Sequence, residues 1–163
     1  MILDEAHTVE SIAAQRVSPS VSKEQIRFWL NKLHNPKTGK GFFANKKADR
    51  VKQAVEFVSH ENDIFFRQIH SYIQDRYSAQ EQKNTVRIKG PIELGSGLLN
   101  ALLDLSIELK KATQLAQNDQ EEAEIKNYFT KLTRFRNNII FFLEQKSDEY
   151  VYWVEYSGRS RNN

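Results

Sequence analysis

From Asn45 to Tyr77 no proline or glycine interrupts the chain, and Val51, Val55, Val58, Phe65, Ile69 and Ile73 recur at spacings of three, four or seven. That spacing gathers apolar residues on one side only if the segment is helical, at 3.6 residues per turn. The stretch is one long helix, or two with a kink near Ser59-His60-Glu61-Asn62. Such a stripe is a packing surface, which the rest of the chain has to cover. Three prolines and six glycines in 163 residues also favour long helices over a β-rich fold.

Other segments follow the same logic. Ser22 reads as an N-cap, with Gln25 as its capping-box partner. The helix that follows sets Ile26, Trp29, Leu30 and Leu33 on one face and stops at Asn35-Pro36. Leu98, Leu102, Leu105, Leu109 and Ala112 form the stripe of another helix. After a break at Asn118-Asp119, with Asp119 as the expected N-cap, Ile125, Tyr128, Leu132, Phe135, Ile139 and Phe142 form a coiled-coil-like seam. A short turn joins these last two helices, so they should pack antiparallel. Thr85-Val86-Arg87-Ile88-Lys89 alternates as a short strand does, and Gly90-Pro91 ends it. Tyr150 to Tyr156 is rich in aromatic and β-branched residues and is expected to pair with Val86–Lys89. Residues 5–16 are expected to form a short helix, closed by the break at Ser18-Pro19-Ser20. The expected fold is all-α: an antiparallel bundle of about four main helices with a small two-stranded β element.

Composition excludes several functions. There is no cysteine, hence no disulfide, no iron–sulfur cluster and no cysteine-based zinc site in this segment. No apolar run reaches membrane-span length, and no basic-then-apolar leader opens the chain, so no membrane partner and a cytoplasmic location are expected. A net charge of +3 permits a nucleic-acid partner without demanding one.

The chain begins Met1-Ile2-Leu3-Asp4-Glu5-Ala6-His7-Thr8-Val9-Glu10. An apolar lead-in to Asp-Glu-Ala-His has the form of a Walker B, or DEAH, motif, in which paired carboxylates serve a nucleotide site. Asp4 would help hold Mg²⁺, Glu5 would help hold it and activate the attacking water, and His7 would couple the site to a neighbouring motor domain. The alternative is an N-terminal helix whose dipole Asp4 and Glu5 complement. No Gly-x-x-x-x-Gly-Lys-[Ser/Thr] run occurs in the sequence. Gly39-Lys40 is no substitute, because no glycine precedes Gly39 by five residues and no apolar strand leads in. A solvated turn is the favoured reading there.

The order of parts resembles the DinG/XPD group of superfamily 2 DNA helicases. Three matches carry the resemblance: Ile2-Leu3-Asp4-Glu5-Ala6-His7, the long helical stretch where this group places its arch domain, and Tyr150-Val151-Tyr152-Trp153-Val154-Glu155 with Ser157-Gly158-Arg159. Asn35-Pro36-Lys37 through Gly41 also resembles the turn between early arch helices. The resemblance spans nearly the whole chain and is specific mainly at its two ends. It implies residues 1–16 as the Walker B strand and following helix of the first motor domain, 17–147 as a helical arch-like domain, and 148–163 as a return strand and basic tail. It further implies an ATP-dependent 5′-to-3′ DNA helicase using ATP and Mg²⁺, with single-stranded DNA and the remaining helicase domains as partners. Without the phosphate loop and second motor domain, no ATP hydrolysis and no cofactor are expected of this chain alone.

Candidate DNA contacts are Lys37, Lys40, Lys46, Lys47 and Arg50, with Lys52, Phe42 and Phe43 among them, and, more weakly, Arg87 and Lys89. The favoured alternative turns the two phenylalanines into the core as loop anchors. Arg134 or Arg136 is expected along a helix–helix groove with its stem buried. The four histidines are scattered without metal spacing. Competing readings of the whole are a stand-alone helical interaction module and a decayed helicase fragment.

Overall fold

The computed structural model describes residues 8–14, 19–77 and 85–157. Helices α1 (Lys23–Leu33), α2 (Asp49–Arg76), α3 (Gly97–Ala112) and α4 (Asp119–Glu144) make up most of them. Strands β1 (Thr8–Ala14), β2 (Ser20–Ser22), β3 (Thr85–Ile88) and β4 (Tyr152–Ser157) form one antiparallel sheet in the order β2-β1-β4-β3. The protein is a helical bundle with a small β element, as its periodicities require. The expected strand pair is β3–β4, with Val86 opposite Val154 and Ile88 opposite Tyr152, all four buried. β1 and β2 enlarge the sheet on the other side of β4.

One segment differs in kind. Thr8–Ala14 lies within the span expected to be helical, yet it is a strand. Thr8, Val9 and Ile12 are β-branched and suit an extended backbone. β4 offers that backbone a ladder from Thr8↔Ser157 to Ala14↔Tyr152, with a bulge between Val9 and Ser11. A helix at this place would leave the aromatic strand β4 with an open edge.

α2 is a single helix of 28 residues, about 42 Å long, with no break at Ser59–Asn62. Asn62 lies at its middle, fully buried, and donates from Nδ2 to the Lys23 carbonyl at 3.1 Å. This bond fastens the middle of α2 to the first turn of α1. The capping box at the head of α1 is formed: Gln25 N donates to Ser22 Oγ at 3.0 Å, and Ser22 N to Gln25 Oε1 at 3.1 Å. At the head of α4 the cap is Asn118 rather than Asp119. Asn118 is extended, and its Oδ1 accepts from Glu121 N at 2.9 Å, which leaves Asp119 in the first turn, where its charge favours the helix dipole.

α3 runs between α2 and α4, antiparallel to both. Arg136 Nε donates to the Leu99 carbonyl at 3.2 Å, setting the later turns of α4 beside the start of α3. This is the groove arginine expected from the sequence, while Arg134 is exposed. The core is continuous from α1 (Ile26, Leu30, Leu33) through α2 (Val58, Phe65, Ile69) to α3 and α4 (Leu102, Leu132, Ile139). Each such buried apolar side chain contributes roughly 1.5–3 kcal/mol.

The α1–α2 junction carries a charge cluster. Asp63 Oδ1 accepts from Lys23 Nζ at 3.0 Å and Arg27 Nη2 at 2.9 Å. Burial pushes the Asp63 carboxyl up, but the Lys23 hydrogen bond and charge, with Arg27, outweigh it and hold it below the usual aspartate value. The resulting stability is fully present above the unfolded value near pH 4 and is lost as pH falls through the lower folded value. Asp63→Asn is expected to destabilise the protein at pH 7 by up to about 1 kcal/mol, because the pair is partly exposed. It should also flatten the stability loss below pH 4, as measured by urea denaturation at successive pH values.

Candidate nucleic-acid interface

The basic segment after α1 folds as a cap on that helix. Phe42 N donates to the Lys32 carbonyl at 2.8 Å and Phe43 N to the Leu33 carbonyl at 3.0 Å, satisfying acceptors that the end of α1 leaves open. For this the chain has to return tightly against the helix. Gly41, at φ 129°, makes the approach, and a Cβ there would lie 2.6 Å from the Leu33 carbonyl oxygen. The tip is a closed turn. Asn35 N donates to Lys40 O, Gly39 N to Asn35 O, and Lys37 N and Thr38 N to Asn35 Oδ1. Amides used in this way cannot cradle a phosphate, which agrees with the solvated-turn reading of Gly39-Lys40.

The two phenylalanines anchor the loop. Phe43 is fully buried, and Phe42 is half-buried against it and against Tyr128. Lys37 and Lys40 are exposed on the turn. Lys46 is not free: its Nζ bonds Glu121 Oε2 at 2.7 Å and lies 5.2 Å from the Phe42 ring centre. The Lys46 hydrogen bond, helped by the Gln117 N–H, holds the Glu121 carboxyl below its usual range. Lys52 Nζ donates to the Ala44 carbonyl at 3.3 Å. Lys47 and Arg50 line a shallow cavity of about 360 Å³ between the head of α2 and the tail of α3, where Glu108 is bonded to Lys111 at 2.7 Å. Arg87, on the exposed face of β3, and Lys89, just past its end, stand beside a cavity of about 380 Å³ lined also by Gln145, Ser147 and Tyr150. Lys47 and Arg50 thus lie by the tail of α3, and Arg87 and Lys89 lie beside the segment that leads from α4 into β4. The candidate cations do not form one track.

A second arrangement was missed by sequence reasoning. On the α1–α4 face, Phe28 meets Trp29 edge-on at 5.7 Å, Trp29 meets Tyr128 at 5.9 Å, and Tyr128 meets Phe42 at 5.9 Å. Lys32 Nζ lies 4.8 Å from the Phe28 ring centre and 5.1 Å from that of Trp29, and Lys131 Nζ lies 5.5 Å from Trp29. Tyr128 is buried, and its hydroxyl donates to Glu124 Oε1 at 3.0 Å. Burial, then this carboxylate, pushes the phenol well above its usual value, so the donor persists at any working pH. Local signals existed in the Phe28-Trp29 pair and in Lys32 one turn on, but the strip joins α1 and its capping loop to α4, which is far away in sequence.

Asp4, Glu5 and His7 lie outside the described residues. Among the described residues no cluster of three histidine or acidic side chains could hold a metal, and no helix is long and apolar enough to cross a membrane.

Two substitutions test the loop. Gly41→Ala is expected to destabilise the protein by about 2 kcal/mol or more, because both backbone angle and contact oppose a side chain. Gly39→Ala, at φ 65° with open space around it, should cost only about 1 kcal/mol. Urea midpoints compare them. Lys46→Gln should raise the Glu121 titration toward the ordinary glutamate value, read by carboxyl-carbon NMR.

No protein-family model, curated protein or solved structure matches this chain.

Proposed function

We propose that this chain is the arch-domain segment of a DinG/XPD-like, ATP-dependent 5′-to-3′ DNA helicase, guiding single-stranded DNA without hydrolysing ATP by itself. The observation that carries this reading is the pairing of β1 with β4. Thr8 stands opposite Ser157, so the strand that follows Asp4–His7 and the strand that leads into Gly158-Arg159 are antiparallel neighbours. A module whose entry and exit lie side by side can be inserted into a host domain without distorting it. The helicase resemblance calls for such an insertion after the DEAH motif. In the complete enzyme Asp4 and Glu5 would serve Mg²⁺ and ATP, and the location would be cytoplasmic.

A second reading, a helical protein-interaction module, is favoured by one observation. Leu103 and Ile107, one turn apart on α3, are 43% and 45% exposed.

Fluorescence anisotropy with labelled single-stranded and duplex DNA across a salt series separates the two. Preferential single-strand binding is expected, with a log–log salt slope of roughly 0.7 per phosphate contacted. Joint Lys37→Glu, Lys40→Glu, Lys47→Glu and Arg50→Glu substitution should weaken it if the loop cations take part. No binding at low salt would overturn the DNA-guiding reading in favour of the interaction module.

A further inference from the structure

The strip on the α1–α4 face has what the scattered candidate cations lack: aromatic rings and ammonium groups interleaved on one surface. We propose that Phe28, Trp29 and Phe42, edged by Lys32 and Lys131, form a base-stacking platform for single-stranded DNA. This rests on the helicase-arch reading and names the surface by which it would hold the strand.

Three observations carry it. Phe28 is 54% exposed on a helix whose Ile26, Leu30 and Leu33 are buried, so the helix keeps a large ring in water although its core face is already complete. Phe28–Trp29 and Trp29–Tyr128 meet edge to face, at 89° and 76°, so each contact sets the edge of one ring against one face of the other rather than stacking two faces together. Buried Tyr128 fixes the spacing between Trp29 and Phe42. Lysine ammonium groups occupy positions over the rings, held there by the ring quadrupole. A nucleotide can replace this contact on both sides: its base takes the ring face, and its phosphate takes the ammonium, which moves only by bending its flexible stem.

The local charges permit an anion. Two of the carboxylates nearby are paired with cations, Glu24 with Arg27 at 3.0 Å and Glu121 with Lys46, while Glu124, bonded to the Tyr128 hydroxyl, keeps its charge. Beside Phe28 and Trp29 opens a groove of about 550 Å³, lined also by Gln25, Asn31 and the Glu24–Arg27 pair. The Gln25 and Asn31 amides are suited to base edges. The exposed pair on α3, Leu103 and Ile107, is aliphatic and offers no comparable stacking surface.

The test uses the full chain carrying Trp153→Phe, which leaves Trp29 as its single tryptophan. An oligo-dT strand and an abasic strand of equal length are titrated at low salt, with emission and anisotropy recorded together. The platform predicts that oligo-dT quenches Trp29 and binds at least tenfold tighter than the abasic strand. Phe28→Ala should weaken oligo-dT binding about tenfold and leave abasic binding unchanged, at an unaltered urea midpoint. Lys32→Gln with Lys131→Gln should reduce the salt slope. Equal affinity for the two strands with Trp29 unquenched overturns the platform while leaving the DNA-guiding reading intact on other cations. No binding of either strand at low salt overturns both.

Discussion

A helix of 28 residues with an apolar seam along its length cannot remain in water, and the bundle is arranged to cover α2. α1 covers one flank and α3 another, and α4 closes over α3 and α1. Covering a seam this long takes several helices rather than one, so each partner must be held at the right height. Asn62 does this at the middle of α2 through the Lys23 carbonyl, and Asp63 does it beside it through Lys23 and Arg27. Apolar contact supplies the driving force, while these directional bonds set the register between helices.

The same division of labour shapes the basic loop. Its conformation is decided by unsatisfied carbonyls at the end of α1 and by a place in the core for Phe43. Lysines follow where the backbone leads. Lys46 is drawn onto Glu121 and Phe42, while Lys37 and Lys40 are left in solvent. A run of positive charge in sequence therefore becomes several separate cations in space. The aromatic strip arises in the opposite way, since Trp29, Phe42 and Tyr128 are brought together only because α1, its capping loop and α4 share a core.

Periodicity made the helices legible, and the Ser22–Gln25 capping box could be read to the residue because both of its bonds are local. The β3–β4 pair was legible from alternation and β-branched content. β1 was not: the partner that pairs along its whole length, β4, lies at the other end of the chain, and its near neighbour β2 is only three residues long. The Asn118 cap shows a finer limit, since Asn and Asp cap equally well and only the extended backbone at 118 decides between them. Of the candidate site, the lysines could be listed in advance. Their bonds could not, because Lys46 and Glu121 are 75 positions apart. The DEAH carboxylates, which gave the sequence its sharpest functional signal, lie outside the described residues.

The pairing of β1 with β4 also has a mechanical meaning. Thr8 and Ser157 sit at the same end of an antiparallel ladder. A tension that separates these two points loads the ladder one rung at a time, as a zipper is opened, rather than all rungs together in shear. Such a joint yields progressively at low force and recloses from the far end. The far rungs are held by more than the ladder, because Tyr152 and Val154 are buried in the same core as the helices, so opening that starts at Thr8 and Ser157 meets the resistance of the bundle before it reaches Ala14.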